Sequence, residues 1–227
     1  VLAIADLDDG QDIAEVRVHG DEQVLVPWPV DPLTSRARRS VRVRVVGSGT
    51  HGESLSDWSE PVLVEAGLLT DGDWRATWIE SAHDDGLADG PALMFRRVFA
   101  VREGMVRARL YLTARGVYEA EINGQVVGDE VLAPGWTSYN ARLRYQAHDV
   151  TALLAEGMNA IGVTVADGWY RGHLGYRGGR RNVYGDYGSL LAQLEVVYLD
   201  GSMETLARWI MLATQPRPTR GNCRRKR

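Results

Sequence analysis

The chain has 227 residues, 44% of them hydrophobic, enough for one or two domains built on a true apolar core. No run of eighteen apolar residues occurs and the Val1 start lacks a basic and then apolar leader, which argues against a membrane span and favours the cytoplasm. Net charge is −4, yet the tail from Arg217 to Arg227 carries six cations and no anion, so the body stands at −10 and argues against a nucleic-acid partner.

In chain order, Val24 to Pro29 reads V-L-V-P-W-P, and Val41 to Val46 reads V-R-V-R-V-V. Val41, Val43 and Val45 alternate with arginines, the period-two signature of a half-buried strand. W-S-E-P at Trp58 to Pro61, followed by Val64 to Leu68, resembles the last strand of a fibronectin-III-like sandwich. Such a fold uses about 90 to 100 residues, so residues 1–68 are expected to form a partial version of it. After a short connector, Trp74 and Trp78 open a new unit and are expected to plug the junction between modules. Ser81 to Gly90 is rich in Asp, Gly and Ala and reads as an exposed loop.

Strand patterns then recur at Met94–Val101, Val106–Thr113, Val117–Ile122, Leu143–His148, Ala160–Ala166 and Leu190–Tyr198. Asn123-Gly124 is a strong hairpin signal, because both residues tolerate positive φ, and it joins Val117–Ile122 to Gln125–Val127. Asp149 to Leu154 reads as one helical turn, capped by Asp149 or Thr151 and closed by Gly157. Little other helix is expected. The fold class is all-β: a jelly-roll-like β-sandwich over 73–209, preceded by the partial fibronectin-III or Ig-like sandwich.

Four motifs follow one another in the second unit: I-N-G at Ile122, P-G-W-T-S-Y at Pro134, H-D-V-T at His148 and D-G-W-Y-R-G at Asp167. Their order resembles the N-terminal, non-catalytic domain of bacterial α-L-rhamnosidases over about Asp73 to Gly201, with a weaker likeness upstream to about Glu53. The resemblance implies a terminal-rhamnose glycan and the remainder of a parent enzyme as partners. It also implies that the catalytic acids lie on a later (α/α)6 barrel. No long amphipathic helix follows Gly201, so no catalytic residue is assigned and the chain alone is expected to be inactive.

Sugar recognition needs a flat apolar face for the C–H side of the ring and fixed polar groups for its hydroxyls. Trp136, Tyr139, Trp169, Tyr170 and Tyr184 supply faces, and Asn140, Asp167, Arg171, Asn182 and Asp186 supply polar groups. Trp136 and Trp169 read as core residues at least as readily as ligand faces, whereas Tyr170 and Arg171, between glycines, read as contacts. The resemblance further implies a calcium ion near Asn140, Asn182 and Asp186. Calcium prefers several carboxylates, and Asn140 with Ala141 is a weak set, so no metal or other cofactor is assigned. The histidines show no metal-ligand spacing, and His148 reads as structural. The single cysteine, Cys223, excludes an internal disulfide.

Past Gly201 the family pattern fades into P-R-P-T-R-G-N-C-R-R-K-R. Among all the basic residues only Lys226 is lysine, a GC-rich bias, and GC-rich DNA read out of frame yields Arg and Pro. Residues 210–227 are therefore expected to be an irregular basic tail, with the frame lost near Thr205 to Trp209. A genuine basic tail for an anionic surface is the other reading. For function, the rhamnosidase N-terminal region stands first, ahead of a free-standing carbohydrate-binding module of weak affinity and a sandwich that serves only as scaffold.

Overall fold

The computed structural model describes residues 1–8, 10–19, 24–49, 52–81 and 90–212, which fall into two compact units, 1–74 and 75 onward. The loop expected at Ser81 to Gly90 falls almost entirely on residues 82–89, and the expected basic tail mostly on 213–227, both outside the described residues. No helix among the described residues is long and apolar enough to cross a membrane.

The first unit is an antiparallel sheet in the order β2 (Asp12–Val16), β1 (Leu2–Asp6), β3 (Arg38–Val43) and β6 (Val62–Glu65). A separate hairpin pairs β4 (Val46–Gly49) with β5 (Gly52–Leu55). Among the described residues its buried apolar side chains are Ile4 and Leu68, a thin core for a module this short. One expectation changes here. Val24 and Leu25 belong to no strand and are exposed, and β3 ends at Val43, so Val43 and Val45 are exposed rather than half-buried. The alternating arginines have a physical partner instead: the guanidinium groups of Arg42 and Arg44 lie 5.6 and 4.3 Å from the Trp58 ring centroid. Trp58 itself precedes the last strand rather than forming it.

Asp73 closes this unit. Its carboxylate accepts hydrogen bonds from Ser35 Oγ (2.6 Å), Arg36 Nη1 (2.8 Å) and the Thr70 backbone N–H (2.9 Å). The Ser35 hydroxyl, then the Arg36 guanidinium, hold its carboxyl well below the usual carboxylate range.

The second unit is a sandwich of two antiparallel sheets. One runs in the order β11 (Gln125–Val126), β10 (Val117–Ile122), β13 (Gly157–Ala166), β8 (Leu93–Val101) and β16 (Ile210–Leu212). The other runs β12 (Gln146–Asp149), β9 (Met105–Arg115), β14 (Ser189–Tyr198) and β15 (Met203–Leu206), with β7 (Ile79–Glu80) pairing the start of β14. In the first sheet inward Phe95, Phe99, Ile161, Val163 and Val165 alternate with exposed or half-exposed residues, the mark of one solvated face.

The second sheet is buried on both faces along β9 and β14. Ala108, Leu110, Leu112, Ala192, Leu194 and Val196 enter the common core, while Arg109, Thr113, Gln193 and Glu195 alternate with them and are also buried. These polar residues are satisfied by the chain that covers them. Gln193 Oε1 accepts the Arg75 and Ala76 backbone N–H groups at 2.6 and 3.1 Å, and its Nε2 donates to Glu195 Oε1 at 2.8 Å. Thr113 Oγ1 donates to the Arg144 carbonyl at 2.6 Å. Trp78 is used within this unit, beneath the Arg115 guanidinium at 4.8 Å.

The hairpin at Asn123-Gly124 forms with φ of 52° and 80°. Asn123 also reaches away from its turn: Nδ2 donates to Leu153 O (2.9 Å) and Asn159 Oδ1 (2.8 Å), and Oδ1 accepts the Ala160 N–H (2.9 Å). The expected helical turn is a 3-10 turn at Thr151–Leu153, with Asp149 Oδ1 accepting from Thr151 N at 3.0 Å and Oγ1 at 2.6 Å. Core packing continues through Trp209. Leu206 and Trp209 are buried, and Trp209 Nε1 donates to Ala192 O at 2.5 Å. The residues at which the frame was expected to be lost, Thr205 to Trp209, thus include two that pack into the sandwich.

Replacing Gln193 with Leu keeps the volume but strands two part-buried N–H donors and leaves the buried Glu195 carboxylate without its amide donor. Urea unfolding of Gln193→Leu should show a loss of about 2–4 kcal/mol, and a midpoint equal to wild type would contradict the bridging role assigned to this amide.

Candidate functional site

Two loops at one end of the second unit bring the candidate residues together. The first runs from Pro134 to Tyr145 and folds on itself through Tyr139 N to Thr137 O (3.0 Å) and through Ala141 N and Arg142 N to Ser138 O (2.8 and 3.0 Å). The second follows β13 and contains the one-turn helix α1 (Gly168–Arg171), so Trp169, Tyr170 and Arg171 sit on a helical turn rather than in open loop.

Asp167 anchors the second loop. Its carboxylate pairs with Arg171 Nε at 2.8 Å and Arg181 Nη1 at 2.9 Å, both guanidinium groups being largely buried. Backbone bonds from Asn182 N to Arg171 O (3.0 Å) and Tyr184 N to Tyr170 O (3.3 Å) lay the return strand of the loop against the helix. Gly185 permits this approach, since a Cβ there would collide with the Tyr170 hydroxyl.

The aromatic residues form two contacting groups. Trp136 and Trp169 lie nearly parallel, with centroids 6.1 Å apart and an interplanar angle of 17°. Tyr139 meets the Tyr170 ring edge-on at 5.3 Å and the Tyr184 ring at 4.9 Å. Burial, then the neighbouring Tyr184, push the Tyr139 phenol above its ordinary value, and its hydroxyl donates to Gly135 O at 3.3 Å. Beside these rings opens a groove of about 670 Å³ lined by Trp136, Thr137, Ser138, Arg142, Arg144 and Tyr184.

The structure thus bears on two sequence readings. Trp136, read as a core residue or a ligand face, is 55% exposed and walls the groove, which removes the core reading. Tyr170 and Arg171, read as contacts, are buried, Arg171 to 3% exposure, and serve as the floor and anchor of the loop. Tyr139 and Asp167 are supports of the same kind, Trp169 backs Trp136, and Tyr184 lines the groove. Asn140 and Asp186 are exposed and Asn182 is half-buried in the left-handed region at φ 55°. With one carboxylate and two amides, this set does not fit the oxygen cage of a calcium ion. No cluster of three or more His, Cys, Asp or Glu side chains suited to a metal occurs among the described residues.

Sequence reasoning missed Arg142 and Arg144. The signal was present, since both alternate with Leu143 directly after P-G-W-T-S-Y, but the segment read as the start of a strand that begins only at Gln146.

A second concavity of about 340 Å³ lies at the β10–β11 hairpin, between Tyr118, Asp129, Glu130 and His148. His148 Nδ1 is 3.9 Å from Glu130 Oε2, and its Nε2 is 3.5 Å from Tyr118 Oη, which donates to Gln146 Oε1 at 2.9 Å. Burial pushes the His148 imidazole below its ordinary 6.5, against the pull of Glu130 and then Asp129.

The second unit is thus an all-β sandwich whose loops at one end form an open groove of aromatic and polar side chains. Two family profiles match: the alpha-L-rhamnosidase N-terminal domain over residues 103–210, and the Rha78A-like, N-terminal immunoglobulin domain over residues 2–70. The first module is therefore immunoglobulin-like, the class in which the fibronectin-like strand pattern is resolved. Among curated relatives, an alpha-L-rhamnosidase of Formosa agariphila is 35% identical over 82% of this chain and 20% of its own length. One of Streptomyces avermitilis is 40% identical over 69% of this chain and 15% of its own. Among solved structures, the alpha-L-rhamnosidase of Aspergillus terreus superposes with a TM-score of 0.84 at 46% identity, over 92% of this chain and 24% of that one. The Streptomyces avermitilis enzyme complexed with L-rhamnose gives 0.52 at 29% identity, over 93% and 24%. The chain belongs to the α-L-rhamnosidase family and corresponds to its N-terminal region, about a fifth of the length of the curated relatives it matches.

Two outcomes follow from this geometry. Asp167→Asn keeps the shape but removes the counter-ion of two largely buried guanidinium groups, so it should cost about 2–4 kcal/mol and speed tryptic cleavage at Arg177 or Arg180; unchanged unfolding and cleavage would refute the anchor. Because folded His148 holds its proton less tightly than the unfolded chain, its contribution is present above 6.5 and lost as pH falls below it. Urea midpoints should thus fall from about pH 7 to 5, and His148→Asn should flatten that slope.

Proposed function

We propose that this chain is the sugar-recognising, non-catalytic part of an α-L-rhamnosidase, and that the groove beside Trp136 and Trp169 receives a rhamnose-containing glycan. The observation that carries this reading is the exposed Trp136 ring, held nearly parallel on Trp169 and bordered by the Thr137 and Ser138 hydroxyls. An indole face covers the C–H side of a pyranose, and hydroxyls beside it bond the ring substituents. The L-rhamnose complex of the Streptomyces avermitilis relative supports the choice of sugar. The rest of such an enzyme is the partner this reading implies.

Hydrolysis is not assigned to the groove. Glycoside cleavage needs two carboxyl groups across the scissile bond, and the lining residues include no Asp or Glu.

One sugar has about eleven heavy atoms, and at roughly −0.3 to −0.4 kcal/mol per atom the affinity is near ~1 mM. Calorimetric titration of the full chain with tens of millimolar L-rhamnose, on the order of ten times that Kd, should therefore saturate. Trp136→Ala should abolish the heat, and Trp169→Ala should weaken it by removing the backing ring. Absence of heat with the wild type, or undiminished heat with Trp136→Ala, would refute the reading.

A further inference from the structure

The polar lining of the groove is unbalanced. A neutral sugar presents hydroxyls that both donate and accept, and a site built for it supplies acceptors as well as donors. Here the charged side chains of the lining are two guanidinium groups, Arg142 and Arg144, which donate only, with no carboxylate beside them. The remaining side-chain polar groups of the lining are the hydroxyls of Thr137, Ser138 and Tyr184.

Elsewhere in the molecule several arginines are compensated by carboxylates. Acidic residues outnumber basic ones 30 to 26, and Arg17, Arg36, Arg39, Arg44, Arg102, Arg109 and Arg171 each pair with a carboxylate within 3.2 Å. Arg142 and Arg144 have no such partner among the described residues, although both are exposed and able to reach one. Both are also positioned: Arg142 N–H is bound to Ser138 O at 3.0 Å, and the Arg144 carbonyl is held by Thr113 Oγ1 at 2.6 Å. The backbone therefore presents two uncompensated cations to the groove that carries the exposed indole face.

We propose that the groove selects an anionic saccharide, a sugar bearing a carboxylate or a sulfate ester, with Arg142 and Arg144 receiving the oxyanion while Trp136 covers the ring. This rests on the sugar-binding reading above and names the chemical class of its ligand. A guanidinium fork matches the paired oxygens of a carboxylate or sulfate and bonds them more strongly than it bonds a hydroxyl.

The test compares probes that share one pyranose ring, on the full chain, by calorimetry at low salt: methyl glucuronide, methyl glucoside and methyl glucoside 6-sulfate. Each exposed arginine contributes a modest amount, so the preferred anionic probe should bind about fivefold to tenfold tighter than the glucoside. The ratio should shrink as salt is raised, because exposed charges are screened. Arg142→Gln combined with Arg144→Gln should bring the ratio to one, whereas Arg177→Gln, away from the groove lining, should leave it in place. A tighter glucuronide assigns the carboxylate, and a tighter sulfate assigns the ester. Equal affinity for glucoside and both anionic probes overturns this proposal and leaves the sugar site standing. Absence of heat with all three probes and with L-rhamnose overturns both.

Discussion

The candidate site depends on one carboxylate. Asp167 stands where β13 ends and binds two arginines, one four residues along on α1 and one fourteen residues along on the returning loop. A loop of this length is costly to order, and few apolar residues in it are buried. The ion pairs and two backbone hydrogen bonds supply what a core would otherwise supply. Every aromatic contact in the groove wall follows from that anchoring, since Trp169 and Tyr170 stand on the helix and Tyr184 on the return strand.

Rigid support is what makes the exposed Trp136 usable. An isolated indole on a loop loses rotamer freedom when a ligand covers it, and that loss subtracts from binding. Trp136 rests on Trp169, and its loop is fastened by Tyr139, whose ring lies between Tyr170 and Tyr184. Ordering has therefore been accomplished by folding before any ligand arrives. The same loop fixes Arg142 and Arg144, so the apolar and charged parts of the groove share one scaffold.

Much of the sandwich was legible in the sequence, for a physical reason. Strands with one solvated face, such as β8, β10 and β13, alternate visibly, and Asn123-Gly124 announces its hairpin. The strands β1 and β2 escaped because a module with only Ile4 and Leu68 buried leaves little period-two pattern to read. The site was half legible. Residue type marked the right loops, but exposure cannot be read from type: Trp136 faces solvent because Trp169 fills the space beneath it, and Arg171 is buried because Asp167 neutralises it. The groove arginines were hidden by their resemblance to an ordinary strand face.

The buried outer face of β9 and β14 separates what is recognisable from what can fold. The segment shared with the N-terminal rhamnosidase domain begins at residue 103. Yet β8, at Leu93–Val101, lies between β13 and β16 and carries Phe95 and Phe99 into the core. Farther back, Arg75 and Ala76 supply the donors that satisfy Gln193 in the middle of the opposite sheet. A polypeptide cut at the edge of the recognisable segment would lack a central strand and expose a row of buried polar side chains. The cooperative unit reaches back to Arg75, so residues whose sequence carries the least family signature close the sandwich on both sides.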